Sequence, residues 1–314
     1  MTDKLAPTTI SRLLHFVSRQ PLSLSRWAAR LLAAFLNVFQ LSKTSQVIRL
    51  NLNIALPHLD ATQREQLARQ AIRNELTSYF EFFNIWGAEN HKNISRIHQV
   101  HGEQLLHEAL AAQKGVVLIV PHFGTWEIMN AWVAQHTEMT IMYKPVKNPS
   151  ADEFVRNARS REQANLVPTN DSGIRQIFKA LKQGGTTVIL PDHTPHLRGE
   201  MIHYFGLPLE SSNLSAKLIQ KTKAAALFLY ALRNEQQGFD IFIEAMDAQL
   251  YDCSVNEGTA MIHQKIEQLI ARHPEHYHWS YKRFKAHPAL RRIYDIPADE
   301  ALALIQNTKQ ANSA

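Results

Sequence analysis

Apolar positions recur with two different periods along this 314-residue chain, and the change from one to the other divides it. Up to about residue 90 the period is helical. Over residues 24–41, Arg26, Arg30, Asn37 and Gln40 share one narrow sector of a helical wheel, and Trp27, Leu31, Leu32, Phe35, Val38 and Phe39 crowd the opposite side. Residues 45–90 also read as helix: Thr62 and Glu65 fit a capping box, Leu67, Ile72, Leu76, Phe80 and Phe83 keep helical spacing, and Gly87 closes the run.

From about residue 100 short apolar runs alternate with helical stretches. A helix over 103–113 stops at Gly115, and strands are predicted at 116–120, 140–143, 186–190, 225–232 and 239–245. Helices at 150–163, 172–183, 211–222 and 256–272 separate them. The alternation predicts an α/β fold, a mostly parallel central sheet flanked by helices, with an N-terminal helical membrane-associated segment. The expected division is an anchoring helix over 1–44 and a single α/β domain over 45–314, in which 45–98 is a helical lead-in and 99–290 the catalytic core.

Charge gives the N-terminal segment its expected role. The chain carries 34 basic and 28 acidic residues, and residues 1–50 hold seven bases against the single acid Asp3, so the whole excess of +6 lies there. A nucleic-acid binder would show its bases as a stripe on the folded domain. Here they are interleaved with Leu13, Leu14, Phe16, Trp27 and Phe35, which predicts a basic amphipathic helix lying in the membrane interface. At about 27 Å an 18-residue helix is short for a span. The alternative is a core-packing helix with a solvated edge. A composition of 45% hydrophobic and 20% charged residues excludes disorder, and one cysteine, Cys253, excludes an internal disulfide.

In sheets of this kind ligands gather at the carboxyl ends of strands. Two such loops carry reactive side chains: 121–127, with His122 and Glu127, and 191–196, with Asp192, His193 and His196. The H-x4-E spacing alone says little, since His98 and Glu103 repeat it. His122, however, leaves a fully apolar strand, and Glu127 falls in the first turn of the next helix, where a carboxylate can turn back onto an imidazole. The same residues also fit a strand-end histidine and a glutamate favoured by a helix N-terminus. No G-x-S-x-G elbow or phosphate-binding glycine loop is present. Asp192, His193 and His196 with His122 make a metal-dependent hydrolase the rival, although no zinc-type pair spacing supports it. Lys144, Lys147, Asp152, Arg156, Arg159 and Arg161 read either as a solvated ion-paired helix face or as a clamp on phosphate or a developing oxyanion. His273, His276 and His278 read as a packing segment.

Taken in order, these blocks resemble the bacterial lipid A late (secondary) acyltransferases, of lauroyl or myristoyl type, within the lysophospholipid acyltransferase superfamily. The likeness rests on Asn51, Leu52 and Pro57, on His122-Phe-Gly-Thr-Trp-Glu127, and on Tyr143-Lys144-Pro145 with Asn148, Pro149, Asp152, Arg159 and Arg161. It continues through Pro191-Asp192-His193, Phe205-Gly206-x-Pro208, and Tyr277-x-Trp279 with Arg283-Phe284-Lys285. Lys144 stands where arginine is expected in many members. The resemblance implies acyl transfer from acyl carrier protein to a hydroxyl of an acylated lipid A precursor, at the cytoplasmic face of the cell inner membrane, beside its lipids. It implies no cofactor, no resident metal and no nucleic acid. His122 would be the general base and Glu127 the carboxylate that holds it, with Arg159, Arg161, Asp152, Lys144 and Asp192 on the substrate.

Overall fold

The computed structural model describes residues 8–39, 42–195 and 199–311. Five helices come first: α1 (Thr9–Ser18), α2 (Leu22–Phe39), α3 (Lys43–Ala55), α4 (Ala61–Gly87) and α5 (Asn90–Ile94). The expected single run over 45–90 is broken at Leu56-Pro57, because proline lacks the amide that a continuing helix needs. The capping box of α4 is Asp60 with Gln63, two residues ahead of the Thr62 and Glu65 expected for it.

The alternating part runs β1 (Ile97–His101), α6 (Glu103–Ala111), β2 (Val116–Ile119), α7 (Glu127–Val133), β3 (Thr140–Tyr143), α8 (Pro149–Arg161), β4 (Asn165–Pro168), α9 (Asp171–Lys182) and β5 (Thr186–Ile189). A hairpin follows, β6 (Glu200–Tyr204) and β7 (Leu207–Ser211), then α10 (Leu214–Thr222), β8 (Ala225–Arg233), β9 (Phe239–Ala245), α11 (Val255–Arg272) and α12 (Ala298–Ala311). The five-stranded sheet has the order β1-β9-β8-β2-β5, while β3 pairs with β4 beside it. β2 lies inside the sheet with all four side chains at 0% exposure: Val117 and Ile119 join the core on one face, Val116 and Leu118 that on the other. A strand covered on both faces has no need to alternate, which is why it reads as an unbroken apolar run.

Three of the four pairings in this sheet are parallel, as the alternation predicts, and one antiparallel pair makes it mixed. β8 and β9 are antiparallel, joined by residues 234–238. A parallel crossover needs about a dozen residues or more, so five permit only a hairpin, closed here by Asn234 Oδ1 accepting from the Gly238 amide at 2.9 Å.

The N-terminal helices require a correction. Arg26, expected on anionic headgroups, is 3% exposed: its Nε lies 2.6 Å from Glu81 Oε1 and its Nη1 2.7 Å from the Gln237 carbonyl oxygen. With Ser25, Ala29 and Ala33 it forms the inward face of α2, packed on α4, and Trp27, Leu31, Leu32 and Phe35 point outward. α1 is tied in as well, through a 2.6 Å hydrogen bond between Thr8 and Ser150 and the His15 ring set edge-on to Phe154. Among the described residues no helix is long and apolar enough to cross a membrane. In place of the expected membrane-associated segment the chain has helices docked on the fold, and no spanning helix among the described residues supports the expected inner-membrane placement.

α4 carries a buried acid whose titration has a stability consequence. Burial pushes the Glu75 pKa up to about 7, against hydrogen bonds from the Ser280 hydroxyl and amide and from Tyr79 that act to lower it. Because the folded value exceeds the unfolded one, Glu75 favours folding below about pH 4.5 and loses that contribution as pH rises through about 7. Glu75→Gln, an uncharged mimic of the acid, is expected to flatten the fall in melting temperature between pH 5 and pH 8, by on the order of 2–3 kcal/mol of unfolding free energy. Parallel pH profiles for variant and wild type would refute this.

Candidate active site

β2 and β5 are parallel neighbours with Ile119 opposite Ile189, and the Val120 amide donates to the Ile189 carbonyl at 3.0 Å. Each strand then continues through one apolar residue and a proline, Val120-Pro121 and Leu190-Pro191. The following residues, His122 and Asp192, consequently sit at the same height beside each other. His122 Nδ1 is 2.9 Å from Asp192 Oδ1, and the His122 amide donates to the two carboxylate oxygens at 3.3 and 3.2 Å. Asp192 is 0% exposed. Burial pushes its pKa up, but the charge and hydrogen bonds of His122, with the charge of His193, hold it far below the usual carboxylate range. An ionised carboxylate on Nδ1 assigns the ring proton there and leaves Nε2 as the basic nitrogen.

The loop that carries His122 is fixed from three sides. Gly124 has φ +57°, and a Cβ at this position would stand 2.2 Å from the Ala231 carbonyl oxygen, so glycine is required. The Gly124 amide donates to the His276 carbonyl at 2.8 Å, and the His278 amide to the His122 carbonyl at 3.1 Å. Burial lowers the pKa of both His276 and His278 to about 3, so these rings are neutral packing groups of the loop's support. That support is itself held by Asn51, whose Nδ2 donates to the Trp279 and Tyr281 carbonyls at 2.6 and 2.8 Å. On the third side, the buried Thr125 hydroxyl donates to Glu81 Oε2 at 2.6 Å.

Glu127 begins α7 but does not turn back onto His122. Its carboxylate accepts from Arg159 Nη2 at 2.6 and 2.9 Å, from Trp86 Nε1 at 2.8 Å and from Trp126 Nε1 at 3.2 Å. Arg159 also reaches Glu162 at 3.0 Å. Burial raises the Glu162 pKa to about 7 even though Arg159 acts to lower it, and both carboxylates hold the guanidinium firmly protonated against burial. Trp126 links the two halves of the site, its ring 5.0 Å from that of His122 and edge-on to it.

The remaining predicted residues lie along α8 and the turn before it. Asp152 accepts from the Tyr143 hydroxyl at 2.6 Å and the Val146 amide at 2.7 Å, so it organises the turn that presents Lys144 and Lys147, both exposed. Arg161 donates to the Trp86 carbonyl. Trp86, Trp126, Glu162 and Tyr281 were not anticipated. Trp86 and Tyr281 leave little signal because their partners Glu127 and His193 are distant along the chain, whereas Trp126 and Glu162 stand beside the residues they bind, Glu127 and Arg159.

His193 stacks face to face on His122, with ring centroids 3.6 Å apart and planes within 1°, and on Tyr281 at 3.6 Å and 7°. His122, Asp192 and His193 bring ligand atoms within 4.8 Å of one another, as a metal site would. Parallel rings do not converge on an ion, however: one placed in the plane of the first imidazole lies out of the plane of the second. His196, the further ligand of the hydrolase reading, falls outside the described residues.

Residues 11–286 match the family described as bacterial lipid A biosynthesis acyltransferase. The lipid A biosynthesis palmitoleoyltransferase of Escherichia coli (strain K12) is 23% identical over 251 residues, 79% of this chain and 81% of that protein. The lipid A biosynthesis acyltransferase of Haemophilus influenzae is 25% identical over 252 residues, 78% and 79% of the two chains. A phosphatidylinositol mannoside acyltransferase of Mycobacterium tuberculosis is 26% identical over 197 residues, covering 60% and 61%.

Proposed function

Since the chain belongs to the bacterial lipid A biosynthesis acyltransferase family, and so to the acyltransferases, we propose that it moves a fatty acyl chain from acyl carrier protein to a hydroxyl of an acylated lipid A precursor, with His122 as general base. The observation that carries this reading is the 2.9 Å contact of His122 Nδ1 with the buried Asp192. With Nδ1 occupied, Nε2 takes the acceptor's hydroxyl proton as the oxygen attacks the thioester carbonyl. The tetrahedral oxyanion then collapses, the carbon–sulfur bond breaks, and the imidazolium returns its proton to the leaving thiolate. No covalent enzyme intermediate is needed.

Asp192 is the positioning residue of this scheme, fixing the tautomer and stabilising the imidazolium. Arg159, held by Glu127, supplies positive charge for the oxyanion or a substrate phosphate, and the Arg161 side chain and the exposed Lys144 and Lys147 extend that charge along α8 and the turn before it. The donor chain is proposed to be of lauroyl or myristoyl type, and residues 45–314 to be the acyltransferase domain with its catalytic core in 99–290.

The test is transfer from acyl-loaded carrier protein to a detergent-dispersed lipid A precursor. Asp192→Asn keeps shape and removes the charge, and its kcat is expected to fall by about 10²-fold or more with KM little changed. Wild-type turnover in that variant would reject Asp192 as the residue that positions His122.

A further inference from the structure

Away from His122, the described residues hold one other group of side chains suited to a metal. Glu103 and His107 stand one turn apart on α6, with Glu103 Oε1 3.2 Å from His107 Nε2. His136, just beyond α7, turns its ring almost perpendicular to that of His107, with centroids 4.9 Å apart at 82°. One ligand atom from each of the three residues lies within 4.8 Å of the other two. A glutamate and a histidine one turn apart are an ordinary helix-surface pair, so those two alone carry nothing.

The third ring is different. His136 Nε2 is shut off from solvent and has no hydrogen-bond partner, in a ring packed against Trp132 with centroids 4.4 Å apart. A buried polar atom without a partner is costly and calls for an explanation such as an ion.

We infer that Glu103, His107 and His136 form a binding site for a zinc-type divalent transition-metal ion, with three protein ligands and a fourth position open to water. Two imidazoles and a carboxylate suit zinc, nickel or copper rather than calcium or magnesium, which demand more oxygen ligands. In a tetrahedral site with bonds of about 2.0–2.1 Å, neighbouring ligand atoms stand about 3.3 Å apart. The Glu103–His107 separation already matches this, and the His136 ligand atom, within 4.8 Å of the other two, has to close in by up to about 1.5 Å to complete the set. An ion here joins α6 to the chain leaving α7, and so braces the helix whose first residue, Glu127, holds Arg159. It takes no part in the acyl-transfer chemistry.

The test is titration of the untagged full-length chain with Zn²⁺, read by calorimetry and by thermal unfolding. Wild type is expected to show one tightest site and a rise in melting temperature with added Zn²⁺. His107→Ala and His136→Ala should each weaken that site by about tenfold or more, and together abolish the rise, while His193→Ala, at the other cluster, leaves both signals in place. The inference is overturned if wild type binds Zn²⁺ no more tightly than the His107→Ala/His136→Ala double variant. It is equally overturned if the tightest site vanishes in His193→Ala and survives in the double variant.

Discussion

His122→Asn is expected to lower acyl transfer by about 10²- to 10⁴-fold while the protein remains folded, with unfolding free energy within roughly 1 kcal/mol of wild type. Asparagine is the informative replacement because its amide nitrogen can take the place of Nδ1. The buried Asp192 then keeps a side-chain donor as well as the amide of residue 122 at 3.2–3.3 Å. Alanine would leave that carboxylate short of a donor at 0% exposure and mix a stability loss into the activity measurement. Single-turnover transfer and thermal unfolding on the same preparation separate the two effects. Substantial transfer by the asparagine variant would remove His122 from the mechanism. His98→Ala serves as the control and should transfer normally, since the His98 ring is bonded to Asn234 on the β8–β9 hairpin.

The largest stability effect is expected from Arg159→Ala. Its guanidinium lies between Glu127 and Glu162, at 6% and 3% exposure, and removal leaves two buried carboxylates facing each other without a cation. Breaking a buried ion pair from one side costs about 3–5 kcal/mol, which in a chain of this size lowers the melting temperature by roughly 5–8 °C. The sign of the pH dependence follows from Glu162, whose pKa already stands near 7. Lowering the pH toward 5.5 protonates it and removes part of the repulsion, so the deficit relative to wild type should shrink. Arg159→Lys should recover part of both stability and turnover, because a point charge cannot serve Glu127 and Glu162 as a fork does. An unchanged melting temperature for Arg159→Ala at pH 8 would contradict this account.

The site was half legible in the sequence. Val120-Pro121-His122 and Leu190-Pro191-Asp192 repeat one pattern, an apolar residue, a proline and a reactive side chain after a strand. Both loops were therefore visible as candidates, but their contact depends on β2 and β5 being neighbours, and strand order is not written in local periodicity. Closeness in sequence suggests Glu127 as the partner of His122. The carboxylate instead finds Arg159, 32 residues on, where α8 brings the guanidinium to the start of α7. Charged residues are rarely buried unless paired, and the partner that lets Arg26 face inward, Glu81, lies 55 residues away. The antiparallel turn at 234–238 was readable from its length alone, since five residues cannot hold a crossover.

Glu81 receives Arg26 from the second helix, Thr125 from the loop of His122, and Arg233 from the end of β8 at 2.9 Å. One carboxylate thus ties together segments made early, midway and late during synthesis. A nascent chain acquires the full set of donors only after residue 233 has been made, so the loop cannot reach its final setting while the ribosome is still on the first two thirds of the message. For the same reason, trimming the amino terminus past Arg26 to improve expression would disturb the bonding of the loop that carries His122, although no residue of that loop had been changed.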